Sequence, residues 1–97
     1  MESIMHSVKR CIVCGKQTDL EKHHVFFGNP RRGISEKYGC WCYLCREHHQ
    51  GTSGVHGKHG HDLDEALKEY AQKMWECEFG DREAFIRTFG KNYIKED

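Results

Sequence analysis

The sequence has little proline, no long apolar run and no excess charge of either sign. Of its 97 residues one is proline, 37% are hydrophobic and 31% are charged, so we expect one small domain without a large apolar core. No stretch approaches the ~20 apolar residues of a bilayer-spanning helix, and residues 1–10 lack the apolar segment of a secretory signal. These absences predict a soluble, intracellular protein.

The formal net charge is zero, which excludes a uniformly basic protein that binds nucleic acid by charge alone. The charge is nevertheless uneven along the chain. Residues 1–37 contain seven Lys and Arg against four acidic residues, a balance of +3. Residues 38–97 contain eight against eleven, a balance of −3. If the protein binds a polyanion, its first half should face that partner.

Cysteine and histidine, by contrast, are abundant. The chain has six Cys and eight His, and in a reducing compartment such cysteines are more often metal ligands than disulfides. Seven of the eight histidines fall between residues 23 and 61. This clustering predicts a metal-binding domain.

The remaining patterns predict an α+β domain with strands first and helices last. Residues 1–10 should be loosely ordered, residues 11–61 should form the metal-binding core, and residues 62–97 should form a helical cover. Strand-forming residues occupy 24–27 and 39–45, and residues 46–50 could begin a short helix before a series of glycines.

Two amphipathic helices are predicted in the last third of the chain. Asp62, followed by Glu65, is placed to cap the first, and Asp81 is placed to cap the second. The apolar faces are predicted at Leu63, Leu67, Tyr70, Met74 and Cys77 in the first helix, and at Phe85, Ile86 and Phe89 in the second. Such stripes usually indicate burial against a core.

Paired cysteine spacing predicts a zinc site. Cys11 and Cys14 flank a two-residue gap that lets both thiolates reach one ion at ~2.3 Å. The second pair is either Cys42 with Cys45 or Cys45 with His48. We favour Cys45 with His48, because a strand would point Cys42 and Cys45 to opposite faces. The thiols then left outside the site are Cys40, Cys42 and Cys77.

Tandem histidines predict a second site. Adjacent side chains on an extended chain point to opposite faces, so one histidine of a pair can bind an ion while its neighbour acts elsewhere. If His48 binds zinc, His49 is free to face the pair His23–His24, and His56 could join it. A metal ion with open positions beside an unligated histidine suits phosphodiester cleavage. The histidines expected to be exposed loop residues are His59 and His61.

Together these motifs resemble those of the HNH endonucleases, which have the ββα-metal fold, and more closely the small HNH-type proteins of phages and prophages. The resemblance covers roughly residues 11–93. It rests on Cys11-x-x-Cys14, Glu21-Lys22-His23-His24-Val25, Leu44-Cys45-x-x-His48-His49 and Phe85-Ile86-Arg87-x-Phe89-Gly90-Lys91-Asn92-Tyr93. It implies two strands and a helix around one metal ion, braced by a zinc knuckle and followed by two C-terminal helices.

The resemblance also implies residue roles. His24 would be the general base, and a catalytic divalent ion (Mg²⁺, Mn²⁺, Ni²⁺ or Zn²⁺) would be bound by His23, His49 and His56. Structural Zn²⁺ would be bound by Cys11, Cys14, Cys45 and His48. The family's central asparagine is replaced by Cys40, so the residue that orients the base is not given, and Asn29 is one candidate.

Two consecutive arginines follow the first histidine motif. Arg31 and Arg32 are predicted to contact DNA phosphates, because guanidinium groups match phosphate oxygens bidentately. The alternative is a solvated turn without a partner.

The resulting expectation is a metal-dependent DNA endonuclease in the cytoplasm of a bacterial host. Its partners would be DNA and phage or prophage proteins, with no membrane. One alternative is a non-catalytic zinc module that binds nucleic acid or protein. Another is an interaction protein that uses the acidic C-terminal helices. A zinc hydrolase of small substrates is disfavoured, because the sequence has neither HExxH nor a nucleophile motif.

Overall fold

A computed structural model describes residues 1–95 as a two-stranded antiparallel sheet with four helices, which confirms the α+β class. The last two residues of the predicted 62–97 cover lie outside this part of the chain. Of the described helices, none combines the length and apolar character needed to cross a membrane. The elements are β1 (Leu20–His24), α1 (Arg31–Tyr38), β2 (Trp41–Cys45), α2 (Arg46–Gln50), α3 (His61–Glu78) and α4 (Arg82–Phe89).

The sheet has one buried and one partly exposed face. On β2, Cys42 and Leu44 are fully buried, whereas Trp41 and Tyr43 on the opposite face are half-buried. The register pairs His24 with Trp41 across the two strands. Side chains alternate along each strand, so the consecutive residues His23 and His24 of β1 face different sides of the sheet.

β2 lies within the predicted 39–45 segment, but the strand predicted over 24–27 was wrong, since β1 ends at His24. The backbone beyond it is bound by a side chain of α1. Phe26 N donates to Ser35 Oγ at 3.1 Å, and Ser35 Oγ donates to Phe26 O at 2.8 Å. Because these peptide groups are already satisfied, Phe26 leaves the strand and enters the core.

Residues 1–10 contain no helix or strand, but they pack along the free edge of β2, which differs from the loose order we expected. Tyr43 N donates to His6 Nε2 at 3.1 Å, and Ile12 N donates to Tyr43 O at 3.0 Å. The Met5 side chain is buried in the core. Because β1 covers only one edge of β2, these contacts satisfy backbone groups that would otherwise remain open.

α3 is present as predicted, but its N-terminus and buried face differ from the prediction. Gly60 occupies the N-cap position, so the cap predicted at Asp62 is wrong and Asp62 lies within the first turn. Tyr70, predicted to be buried, is 41% exposed and donates its hydroxyl to Met5 O at 3.0 Å. Cys77 is exposed too. The buried residues are Asp64, Leu67, Ala71, Gln72 and Trp75.

α4 is capped as predicted. Asp81 Oδ1 accepts a hydrogen bond from Ala84 N at 2.9 Å, which satisfies one of the free N–H groups of the first turn. Phe85 and Phe89 are buried, but Ile86 is 38% exposed, so its predicted place on the apolar face was wrong. The two phenylalanines lie four residues apart and need only a narrow stripe of the helix surface.

The core is an aromatic cluster that joins the C-terminal helices to the segment after β1. The ring centroids of Phe26 and Phe89 are 4.7 Å apart, and those of Phe85 and Phe89 are 4.5 Å apart. Trp75 of α3 and Tyr93 contact the same cluster. The C-terminal helices therefore cover the core, as their amphipathic stripes predicted.

We expect Asp81→Ala to lower the free energy of unfolding by about 1 kcal/mol, because it leaves an N–H group of α4 without its acceptor. Asp62→Ala is the matched control, since Asp62 occupies a first turn but does not cap it. In moderate salt the interaction of Asp62 with the helix dipole is screened. The free energy of unfolding should therefore fall less in Asp62→Ala than in Asp81→Ala. Urea unfolding of both variants makes the comparison, and equal losses would contradict the assignment of the cap.

Candidate metal centres

Four possible ligands from two places in the sequence converge at one end of the sheet. They are the residues that the spacing favoured, namely Cys11, Cys14, Cys45 and His48. Cys45 Sγ lies 3.1 Å from His48 Nδ1, Cys11 Sγ lies 3.7 Å from the same nitrogen, and the sulfurs of Cys14 and Cys45 are 3.9 Å apart. Ligands of a tetrahedral zinc ion are roughly 3.5–3.8 Å apart, so this group could hold a metal ion.

The other arrangement left open by the sequence, with Cys42 in place of His48, does not form. Cys42 lies on the opposite face of β2 and is fully buried in the core. Burial raises the pKa of its thiol to about 12, as it does for Cys40, so both remain protonated and inert.

Cys11 is in a different electrostatic environment. Burial alone would raise the pKa of its thiol, but backbone N–H groups of Cys45, Cys14 and Val13 donate to the sulfur and bring the pKa down to about 6. The thiolate is the form that binds metal ions. The turn itself is closed by Gly15, whose N–H donates to Cys11 O at 2.8 Å.

A second group of ligands, His23, His49 and His56, lies on the other side of α2. One nitrogen from each ring lies within 4.8 Å of the other two. The ring centroids of His23 and His49 are 5.1 Å apart, and those of His49 and His56 are 4.9 Å apart. His56 is exposed, so an ion bound here would keep positions open to solvent.

His23 is prepared for a ligand. It is 2% exposed, and its Nε2 has no hydrogen-bond partner within residues 1–95. Burial lowers the pKa of His23 to about 3, with a further contribution from the neighbouring imidazoles. A neutral imidazole with an unpartnered buried nitrogen is costly in a core unless that nitrogen binds something, and a metal ion would satisfy it.

α2 connects the two groups. It begins directly after Cys45, so that one helical turn brings His48 back to the Cys45 sulfur. His49 is the next residue, and a rotation of about 100° per residue turns its ring toward His23 instead.

His56 reaches the cluster through glycine-rich turns that follow α2. His56 N donates to His49 O at 3.1 Å, which fixes the seven-residue return. The turns stack so closely that a Cβ at Gly57 would overlap Gly51 O and a Cβ at Gly60 would overlap Gly54 O. Glycine is required there by space.

Glu21 orients His49 within the second group. Its Oε1 lies 2.7 Å from His49 Nδ1, and a carboxylate can only accept, so Nδ1 carries the proton and Nε2 is left free for an ion. The hydrogen bond from His49 lowers the pKa of Glu21. Glu21 was not predicted to be a site residue. It lies two residues before His23 on a strand, which places both side chains on one face.

His24 is held by a carboxylate from α1. Its Nε2 lies 2.8 Å from Glu36 Oε1, which also accepts from Lys22 Nζ at 2.8 Å. These hydrogen bonds, the one from Lys22 first, lower the pKa of Glu36 to about 2. The Glu36 carboxylate accepts a hydrogen bond from Nε2–H, so the lone pair of the His24 ring is on Nδ1, which accepts a hydrogen bond from Arg32 Nε at 3.5 Å.

Neither α1 nor the role of Glu36 was found from the sequence. Gly33 and the polar composition around Pro30 are typical of a loop and give no helical pattern, so α1 could not be predicted from local sequence. α1 is held by tertiary contacts, mainly the bonds between its buried Ser35 and Phe26. Asn29, one candidate to orient His24, is exposed, whereas Glu36 contacts the His24 ring.

The two arginines lie in the first turn of α1 instead of the loop that we expected, and they differ. Arg31 Nε donates to Phe89 O at 3.0 Å, which ties α1 to α4 and makes a phosphate contact by Arg31 a weaker prediction. Arg32 is exposed beside His24. The histidines predicted to be exposed, His59 and His61, are exposed.

One open cleft contains the reactive groups. It has a volume of about 190 Å³ and is lined by Lys22, Phe27 and Arg32 together with His23, His24, His49 and His56. It therefore combines a set of possible metal ligands, a histidine outside that set whose Nδ1 accepts a hydrogen bond from Arg32, and that exposed cation itself. These are the groups needed to bind and hydrolyse a phosphodiester.

Comparison with models of protein families, with curated proteins and with solved structures found no significant match to this chain. The assignment of function therefore depends on the geometry of the two centres.

We expect Cys45→Ala to abolish tight binding of one metal ion and Cys42→Ala to retain it. The two cysteines belong to the same strand and are both buried, but only Cys45 belongs to the Cys₃His group. Elemental analysis after gel filtration measures the stoichiometry, and thermal unfolding should show the larger loss for Cys45→Ala. Loss of the ion from both variants would indicate that the core, and not the ligand set, controls binding.

Proposed function

We propose that the protein is a metal-dependent DNA endonuclease of the HNH type, with β1, β2 and α2 as its ββα-metal unit. The observation that carries the proposal is the single cleft in which His23, His49 and His56 form an open ligand set beside the carboxylate-bonded His24. The sequence resemblance assigns these same residues to the corresponding roles.

The ligand set is suitable for a catalytic divalent ion. Three imidazoles, one with an unpartnered buried nitrogen and one held by Glu21, provide a preorganised half of a coordination sphere. When bound by His23, His49 and His56, such an ion would supply Lewis acidity to the scissile phosphate and stabilise the leaving oxygen.

His24 would be the general base. Glu36 accepts a hydrogen bond from Nε2–H and fixes the tautomer, which directs the Nδ1 lone pair toward the cleft. Nδ1 can then take the proton of the attacking water, and the carboxylate stabilises the imidazolium that results. Arg32, exposed beside Nδ1, would bind a phosphate oxygen and position the backbone for attack.

The Cys₃His group would hold Zn²⁺ as a structural ion. Three thiolates and one imidazole occupy all four tetrahedral positions and leave none for a substrate. Such a thiolate-rich site needs a reducing compartment, which agrees with a bacterial cytoplasm as the place of action. Phage or prophage proteins remain partners that only the resemblance suggests.

We expect the purified protein to nick supercoiled plasmid in the presence of Mg²⁺, Mn²⁺ or Ni²⁺ and to be inactive in EDTA. His24→Ala should slow cleavage at least about 100-fold, the usual minimum contribution of a general base, while keeping the Cys₃His metal ion. His59→Ala is the control, because this histidine of the same glycine-rich region is exposed and outside both groups. Absence of cleavage with every ion, from folded and metal-loaded protein, would favour the non-catalytic binding module.

We expect Glu36→Gln to lower kcat about 10- to 100-fold while changing KM little. The substitution removes the charge that stabilises the His24 imidazolium, and it no longer fixes which nitrogen of the neutral His24 ring carries the proton. Glu47→Gln, an exposed glutamate in α2, is the matched control. A Glu36→Gln variant that raises KM with unchanged kcat would show that Glu36 affects substrate binding and does not position the base.

A further inference from the structure

We propose that a groove beside His24 binds single-stranded DNA by stacking its bases on Trp41 and Tyr43. The proposal rests on the nuclease function above and names the form of nucleic acid that the site accepts. The groove has a volume of about 320 Å³ and lies between the N-terminal segment and the partly exposed face of β2. Its walls include Ser7, Val8 and Lys9.

The groove lies next to the proposed catalytic site across the two strands of the sheet. In the register of the sheet, Trp41 lies directly opposite His24, and Tyr43 lies directly opposite Lys22. Side chains of directly paired residues share a face of the sheet, with Cβ atoms about 4.5–5.5 Å apart. A strand whose scissile phosphate lies at His24 would therefore place its neighbouring nucleotides at the two aromatic rings.

Cations accompany both rings. Lys22 Nζ lies 4.2 Å from the centroid of the Trp41 ring and Lys9 Nζ lies 5.6 Å from that of Tyr43. Two acidic side chains share this surface, Glu2 in the groove and Glu36, which pairs with Lys22. Aromatic rings flanked by ammonium groups suit nucleotides, because each nucleotide offers a planar base and a phosphate.

The charge distribution favours a polyanion on this side of the protein. The groove is built from residues 1–9 together with β2, and residues 1–37 carry the balance of +3 in a chain that is neutral overall. Lys9 belongs to the N-terminal wall of the groove and Lys22 lies over the neighbouring Trp41 ring, so a polyanion bound here meets cations from the more basic part of the chain.

Stacking selects single strands over duplex. In a duplex, the faces of each base are covered by its neighbours, so an aromatic side chain reaches a base face only when the base is unstacked. Trp41 and Tyr43 are half-buried side chains on a strand, and their ring planes are 87° apart at a centroid distance of 5.3 Å. They do not form the projecting element needed to enter a groove of double-stranded DNA.

Intrinsic fluorescence tests the stacking directly. In Trp75→Phe, Trp41 is the only remaining indole, and the buried Trp75 Nε1 has no hydrogen-bond partner within residues 1–95 to lose. We expect oligo-dT of 20 nucleotides to quench this fluorescence, and a 20-base-pair duplex at equal concentration to quench it much less. The titration is made without added divalent ion, so that binding is measured independently of cleavage.

Anisotropy with labelled oligo-dT measures the contribution of each side chain. Trp41→Leu should weaken binding at least about fivefold, because loss of a base–aromatic stack typically costs 1–3 kcal/mol. Lys9→Gln should reduce the slope of log K against log salt by about 0.7, the contribution of one phosphate contact in a single strand. Lys91→Gln is the matched control, since Lys91 also lies over a tyrosine, with Nζ 5.3 Å from the Tyr93 centroid, but far along the chain from the groove.

Unchanged Trp41 fluorescence on saturation with oligo-dT, or equal affinity for duplex, would overturn the proposal. So would a Lys9→Gln variant that behaves like Lys91→Gln. If Trp41→Leu does not fold, the quenching experiment and Lys9→Gln still decide. Quenching without metal-dependent cleavage of either plasmid or labelled oligo-dT would retain the groove and reject the nuclease, whereas cleavage without quenching would do the reverse.

Discussion

Three sulfurs and one imidazole draw the turn after residue 10 against the point where β2 becomes α2, and the rest of the structure depends on this contact. A domain of this size has only a small core, and two of the four ligands, Cys11 and Cys45, are buried in it. The Cys₃His group fixes the start of α2 through Cys45 and His48. Because His49 is the next residue, the same constraint determines where the second set of imidazoles can meet.

The alternation of side chains on β1 separates two tasks that would otherwise interfere. His23 lies on the same face of β1 as Glu21. Burial keeps the His23 imidazole neutral, and its Nε2 has no hydrogen-bond partner within residues 1–95. His24 faces the other way, toward Glu36 and the half-buried Trp41. Glu21 therefore contacts His49 and Glu36 contacts His24, and under the proposed function the first would orient a metal ligand and the second a base. Two adjacent histidines thus acquire different partners because side chains alternate along a strand.

The sequence predicted what local spacing determines and missed what tertiary contact determines. Cys-x-x-Cys and Cys-x-x-His spacings identified the first ligand set, and amphipathic stripes identified α3 and α4. The buried face of α3 was misjudged, because Tyr70 is apolar enough for a stripe but keeps its hydroxyl at the surface. α1 was missed because the contacts of Ser35 with Phe26 hold it, and Glu36 was missed with it. The path of the chain to His56 depends on close backbone packing at glycines, which hydrophobic periodicity in the sequence does not indicate.

The first residues of the chain have a consequence beyond folding. β2 is a short run of aromatic and apolar residues, Trp41–Cys45, the composition that pairs readily with strands of other molecules when its edge is open. His6 and Ile12 occupy the backbone groups of Tyr43 that such a strand would use. The N-terminal segment thereby blocks the pairing of β2 with a strand of another molecule. A copy that lost this segment would expose an aggregation-prone edge of β2 next to its candidate metal-binding cleft.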